Sequence, residues 1–224
     1  HGESARNLFA GASVLMDDLG PTLFTLLRRL DAEASVTHGG YPTGLSWYGG
    51  FAKPHQKKPQ TEPCWSQRLA ELLRDSGWPA DAEVRFPSIA RARCDLVVGD
   101  SDARCWIEIK GAWREYWRQN KGLGLYRSYL LHPLVDGLVE KSHTVPNDLA
   151  KLATLTAQDG ARVGCLLVGF DSVSHPMDDD VVELESLSEL GQSRWMSTRD
   201  AWDDPYREGE RVRCWYWERS IADS

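Results

Sequence analysis

The sequence predicts an α/β fold in which helices flank a mixed β-sheet, and three observations lead to this prediction. Apolar residues recur at helical spacing in several segments of the 224-residue chain. A strongly apolar segment at 163–170 has the composition of a strand that is buried on both faces of a sheet. The order of helix, three strands, helix and strand is typical of a layered α/β domain.

The N-terminal part of the chain predicts helices followed by a long loop. Apolar side chains recur at helical spacing over 5–31 with a break at Gly20-Pro21, so the pattern predicts a helical hairpin. Residues 39–63 contain five Gly and four Pro without a sustained period, which indicates a loop. A helix should then run over 61–75, because Thr61 is a good N-cap residue and Gly77 is a good helix stop.

The next segments predict three strands and the elements that surround the apolar strand. The three strands are expected at 83–87, 92–98 and 104–110, and only five residues separate the last two, which should form a hairpin. The other predicted elements are a helix over about 113–131, a short helix over 146–156, an acidic helix with an apolar stripe from Val181 to Leu190, and a final strand over 211–218.

The net charge of -7 is unevenly distributed along the chain. Residues 171–210 hold 12 Asp or Glu and three Arg, whereas residues 1–170 hold 20 Lys or Arg and 19 Asp or Glu. An acidic total therefore does not exclude an anionic partner. The sequence has no apolar run long enough to span a membrane and no signal-peptide pattern, and its five cysteines lack zinc-ligand spacing. These features predict a cytoplasmic protein that does not associate with membranes.

Two of the predicted strands place charged side chains opposite one another. Alternation along the second strand of the hairpin puts Glu108 and Lys110 on one face and the aliphatic residues on the other. If Gly99 pairs with Arg104, Asp95 stands directly opposite Glu108. Two carboxylates so close repel each other unless a cation lies between them. A divalent metal would supply that cation, and two carboxylates with a lysine suit hydrolysis of a phosphodiester.

This arrangement resembles the PD-(D/E)xK nuclease superfamily, which has the restriction-endonuclease-like fold. Asp95 matches the family's Asp, Glu108 its second acidic residue and Lys110 its lysine. The order of elements over 61–170, about half of the chain, also matches. The chain departs from the family at Cys94, where Pro is frequent. The alternative is that Glu108 and Lys110 form an ordinary ion pair on a solvated strand face.

The resemblance implies a cofactor and a set of ligands. Mg²⁺ or Mn²⁺ would be held by Asp95, Glu108 and the main-chain carbonyl of Ile109, and Lys110 would act on the attacking water. The family's first helix often adds a glutamate, for which Glu62 is the candidate because it lies on the apolar stripe of its helix. The alternative for Glu62 is a favourable charge in the first helical turn.

A short helix further along the chain also resembles a feature of these nucleases. Asp148 and Lys151 match a D-x-x-K-L helix start that many of them have near the active site. We therefore expect both residues beside the metal ligands. The alternative is an ordinary capped helix.

Basic residues that follow the candidate site predict contacts with nucleic-acid phosphates. A solvated helix face and a charged loop are the alternative for these residues. The candidates are Arg114, Arg118, Lys121, Arg127, Lys57 and Lys58.

These expectations define four regions and one principal function. The regions are an N-terminal helical extension (1–38), a loop (39–60), the nuclease-like core (61–170) and an acidic accessory segment packed on the core (171–224). The predicted function is metal-dependent hydrolysis of nucleic acid, DNA more than RNA, in restriction, defence or repair. The alternatives are a non-enzymatic binding subunit that forms a homodimer or binds a protein through its N-terminal helices, and an acidic mimic of nucleic acid.

Overall fold

The structure is a computed structural model that describes residues 18–33, 37–38, 41–42, 62–113, 144–205 and 208–223. Within these residues the helices are α1 (Leu19–Ala32), α2 (Glu62–Asp75), α3 (Val145–Leu152) and α4 (Asp178–Leu187). The strands are β1 (Thr37–His38), β2 (Tyr41–Pro42), β3 (Ala80–Arg85), β4 (Arg93–Val98), β5 (Cys105–Trp113), β6 (Arg162–Ser172), β7 (Met196–Asp203) and β8 (Glu210–Ser220). Two short 3₁₀ helices, Glu189–Gly191 and Ile221–Asp223, follow α4 and β8.

Six strands form one mixed sheet in the order β3-β4-β5-β6-β8-β7, while β1 and β2 pair with each other. The neighbours β5 and β6 are parallel, and every other neighbouring pair of this sheet is antiparallel. All but the first residue of β6 are buried, as its apolar composition predicts for a strand covered on both faces. The described residues therefore form an α/β fold with an open mixed sheet.

Different helices cover the two faces of this sheet. α1 and α2 pack on the face that carries Ile107 and Ile109. α3 and α4 pack on the opposite face, which carries Trp106. Because side chains alternate along a strand, Glu108 and Lys110 of β5 belong to the face that α3 covers. The chemistry-bearing side chains of β5 thus point towards α3.

Most predicted elements are present with modest shifts at their ends. α2 spans Glu62–Asp75, and Gly77 follows it with a φ of 86°, the left-handed conformation that commonly ends a helix. The hairpin of β4 and β5 and the strands β6 and β8 are confirmed. The first predicted strand, 83–87, lies three residues earlier at its start, and the short helix 146–156 ends at Leu152.

The predicted N-terminal hairpin and long loop need correction where the structure describes them. Gly20 and Pro21 lie in the first turn of α1 and do not separate two helices, because proline fits a first turn, where its missing N–H has no partner to lose. The preceding helix prediction lies outside the described residues. Tyr41 and Pro42, predicted as loop, pair with Thr37 and His38.

The ends of two other predicted helices are also wrong. Trp113 is the last residue of β5, where it pairs with Phe170, and does not begin a helix. Residues 114–131 lie outside the described part of the chain. In α4 the predicted apolar stripe is too wide, because Val182 and Leu187 are exposed and Leu190 lies in the following 3₁₀ helix.

The C-terminal segment contributes two strands to the sheet. All eleven residues of β8 pair with β6, and β7 forms the edge beyond it. The sequence pattern did not predict β7, because most of its side chains are exposed and show no apolar alternation. No helix of the described residues is long and apolar enough to cross a membrane.

Candidate active site

The candidate site lies where β4 and β5 separate. Their register is the predicted one: Leu96 pairs with Ile107, which leaves Asp95 opposite Glu108 at the end of the ladder. On the other side of β4, Glu83 has a φ of 57°, a left-handed conformation that is uncommon for a residue other than glycine. The backbone is therefore bent on the strand next to Asp95, and such conformations often occur at functional sites.

Side chains of β4 replace the missing main-chain pairing at this separation. The Ile109 N–H donates a hydrogen bond of 2.7 Å to Asp95 Oδ2. The Cys94 thiol lies 3.2 Å from the Ile107 carbonyl oxygen, to which it can donate. In a strand the N–H and C=O of one residue point to the same edge, so the Ile109 carbonyl also faces the gap between β4 and β5. This carbonyl is the one that the family resemblance nominates as a metal ligand.

The carboxyl groups of Asp95 and Glu108 are close enough for a side-chain hydrogen bond. Glu108 and Lys110 are almost completely buried, with 3% and 5% of their surface exposed. Buried charges are stable only when paired or coordinated, so the partners of these groups determine what the site can do.

α3 supplies those partners. Thr144 caps the helix by accepting a hydrogen bond from the Asn147 N–H, and the exposed face is interrupted by two charged residues three positions apart that point inward. Asp148 Oδ2 lies 2.9 Å from Lys110 Nζ. Lys151 Nζ lies 2.8 Å from Glu108 Oε1 and 2.8 Å from Asp148 Oδ1. The strand residues and the helix residues thus form one network.

Burial and mutual repulsion control protonation in this network. Burial raises the pKa of Asp95, and the Ile109 N–H only partly opposes that effect. Burial also raises the pKa of Glu108 well above its usual range, and repulsion from Asp95 and Asp148 adds to the increase. Burial lowers the pKa of Lys151, but attraction to Asp148 and Glu108 outweighs it and leaves this pKa raised.

The charge balance of the network favours one more cation. Three carboxyl groups and two ammonium groups meet here, so the five groups carry one excess negative charge when all are ionised. Glu108 Oε1 is buried and accepts no hydrogen bond of regular geometry, although Lys151 Nζ is close to it. A protonated carboxyl or a divalent cation would remove the excess charge.

The donor atoms fit a divalent cation held by few protein ligands. Two carboxylates and a main-chain carbonyl face the gap between β4 and β5, and oxygen ligands of this kind suit Mg²⁺, which usually keeps several waters. In the described part of the chain no three His, Cys, Asp or Glu side chains form a metal-binding group. The fit therefore depends on Asp95, Glu108 and the Ile109 carbonyl.

The structure brings five of the predicted site residues together: Asp95, Glu108, Lys110, Asp148 and Lys151. Glu62 begins α2, which packs on the other face of the sheet, and its side chain is outside the described part of the structure. The predicted nucleic-acid contacts Arg114, Arg118, Lys121, Arg127, Lys57 and Lys58 also lie outside the described residues.

Sequence reasoning missed the local roles of three residues. Cys94 was noted only as a departure from the family pattern, and no sequence signal shows that its thiol reaches Ile107. The bend at Glu83 has no signal either, because glutamate has no preference for a left-handed backbone. Thr144 could have been found, since a threonine two residues before a proline is a helix-start pattern.

Comparison of the chain with family models, with curated proteins and with solved structures finds no match. The functional interpretation therefore rests on the geometry of the site.

Replacing Glu108 by Gln should stabilise the metal-free protein at neutral pH. Since the folded-state pKa of Glu108 is raised, the native state holds its proton more tightly, and stability falls as pH rises from the unfolded pKa to the folded pKa. Gln keeps the shape without the charge. The melting temperature of the variant should exceed that of the wild type at about pH 8, and the difference should shrink as pH falls towards 4.5, the ordinary pKa of Glu. A difference that grows on acidification would contradict the raised pKa.

Proposed function

We propose that this protein is a metal-dependent nuclease of the restriction-endonuclease-like fold. The observation that carries the proposal is the buried network at the separation of β4 and β5. There, two adjacent carboxyl groups, a main-chain carbonyl and a buried lysine lie together with one excess negative charge among the described groups. The sheet order and the Asp95, Glu108 and Lys110 set agree with the resemblance seen in the sequence.

The residues have distinct roles in this proposal. Asp95 and Glu108 hold the cation with their carboxylate oxygens, and the Ile109 N–H fixes the orientation of Asp95. A divalent cation, when bound, neutralises the phosphate oxygens and stabilises the charge that develops during hydrolysis. Lys110 places a positive charge at the reacting phosphate, where a buried charge acts more strongly than one in water.

Asp148 and Lys151 position the groups that act. Asp148 accepts contacts from both lysines, so it holds the Lys110 ammonium group on the face of β5 that bears Glu108. Lys151 holds Glu108 through the same carboxylate bridge. Fixed charges of this kind need no reorganisation when the reaction occurs, which is a large part of enzymatic rate enhancement.

Phosphodiester cleavage by the wild-type protein tests the proposal directly. Plasmid DNA, linear duplex DNA, single-stranded DNA and RNA should be incubated with the protein in Mg²⁺, in Mn²⁺ and in EDTA. We expect cleavage of at least one DNA substrate with metal and none in EDTA. Mg²⁺ should also raise the melting temperature, because a ligand that binds only the native state stabilises it. A protein that shows neither cleavage nor metal stabilisation would support the non-enzymatic alternative.

A further inference from the structure

The hairpin that joins β3 to β4 carries an exposed cluster of arginines. Residues 84–94, here called the arginine hairpin, contain Arg85, Arg91 and Arg93 and no Asp or Glu. All three arginines are exposed. Arg85 and Arg93 are direct partners in the register of β3 and β4, so two like charges stand opposite each other.

This arrangement has an energetic cost that no carboxylate of the described chain offsets. Like charges directly opposite in an antiparallel pair are destabilising. Among the described residues no ion pair involves these arginines, and the contact given for their side chains is a hydrogen bond of 2.8 Å from Arg93 Nη1 to the Glu83 carbonyl oxygen. Arg91 adds a left-handed backbone with a φ of 67°. An external anion would relieve the repulsion.

The arginine hairpin lies at the end of the sheet where the candidate site is found. Arg93 precedes Asp95 by two residues on β4. Phe86 of the hairpin packs on Trp106, and Lys151 Nζ lies 6.0 Å from the centre of the Phe86 ring. The hairpin is therefore in contact with the network that includes Glu108 and Asp148. A polyanion bound at the hairpin would reach the site without crossing the acidic α4.

We propose that the arginine hairpin binds the phosphate backbone of the nucleic acid on which the site acts. This inference rests on the proposed function, since it identifies the surface that receives the substrate. Exposed arginines recognise phosphates without reading base sequence. The net charge of -7 is compatible with this role because the acidic residues are concentrated elsewhere in the chain.

The test measures the salt dependence of binding with a short fluorescein-labelled DNA duplex in EDTA. The test variant is Arg85→Gln with Arg91→Gln, which leaves the hydrogen bond of Arg93 intact. The control is Arg104→Gln with Arg199→Gln, which removes the same charge at the far end of β5 and on the opposite edge strand. The slope of log K against log salt should decrease by roughly 1.4 to 1.8 in the test variant, or 0.7 to 0.9 per lost contact, and remain unchanged in the control.

The outcomes separate this inference from the proposed function. Equal slopes for the wild type and the folded test variant, or no binding by the wild type, would overturn the arginine hairpin as the binding surface. Cleavage in Mg²⁺ is measured separately on the same preparations. Loss of slope in the test variant together with an inactive wild type would support the surface and reject the nuclease. Circular dichroism and melting temperature verify that each variant is folded.

Discussion

Replacing Lys110 by Met should reduce metal-dependent cleavage by about 10²-fold or more, which is the usual cost of removing one preorganised stabilising group. Met has a similar length and no charge. The chain should still fold, because Asp148 keeps its contact with Lys151 when Lys110 is lost. Single-turnover cleavage in Mg²⁺ measures the effect, since it separates the chemical step from product release.

The matched control for Lys110→Met is Arg104→Gln, which removes a positive charge at the start of β5, at the other end of the strand. It should cleave at the wild-type rate. If folded Lys110→Met also cleaves at the wild-type rate, Lys110 has no part in the reaction.

Replacing Asp95 by Asn should abolish both cleavage and the stabilisation that Mg²⁺ gives. Asn keeps an oxygen that can accept the Ile109 N–H, so the separation of β4 and β5 should be preserved. It lacks the negative charge that holds a hard cation. For the wild type, Mg²⁺ at a hundred times its Kd should add about 2.7 kcal/mol to the free energy of unfolding. The variant should gain little, as a thermal melt with and without Mg²⁺ would show.

Asp102→Asn is the control for Asp95→Asn. Asp102 is an exposed carboxylate in the turn of the same hairpin, remote from the network. This variant should respond to Mg²⁺ as the wild type does. Equal stabilisation of all three proteins would place the cation somewhere other than Asp95.

The hairpin of β4 and β5 could be predicted because its determinants are local. The alternation of residues along β5 and the short turn beginning at Gly99, which has a φ of 96°, are enough to set the register. The opposition of Asp95 and Glu108 follows directly from that register.

Other features could not be predicted because tertiary packing decides them. The pairing of Lys151 with Glu108 joins residues that are 43 positions apart in sequence, and periodicity carries no information about such contacts. The edge strand β7 exposes most of its side chains, so its conformation depends on pairing with β8. The exposure of Val182 depends on where α4 meets the sheet, which its apolar composition does not show.

The parallel pairing of β5 and β6 also determines when the network can form during folding. A parallel pair needs a long crossover between its strands, and α3 lies within that crossover. Asp95 and Glu108 come from a hairpin, whose local contacts close quickly. Asp148 and Lys151 join them only after the crossover has been completed. A chain that has formed the hairpin but not the crossover lacks the groups that position Glu108 and Lys110, so hydrolysis is restricted to the fully folded protein.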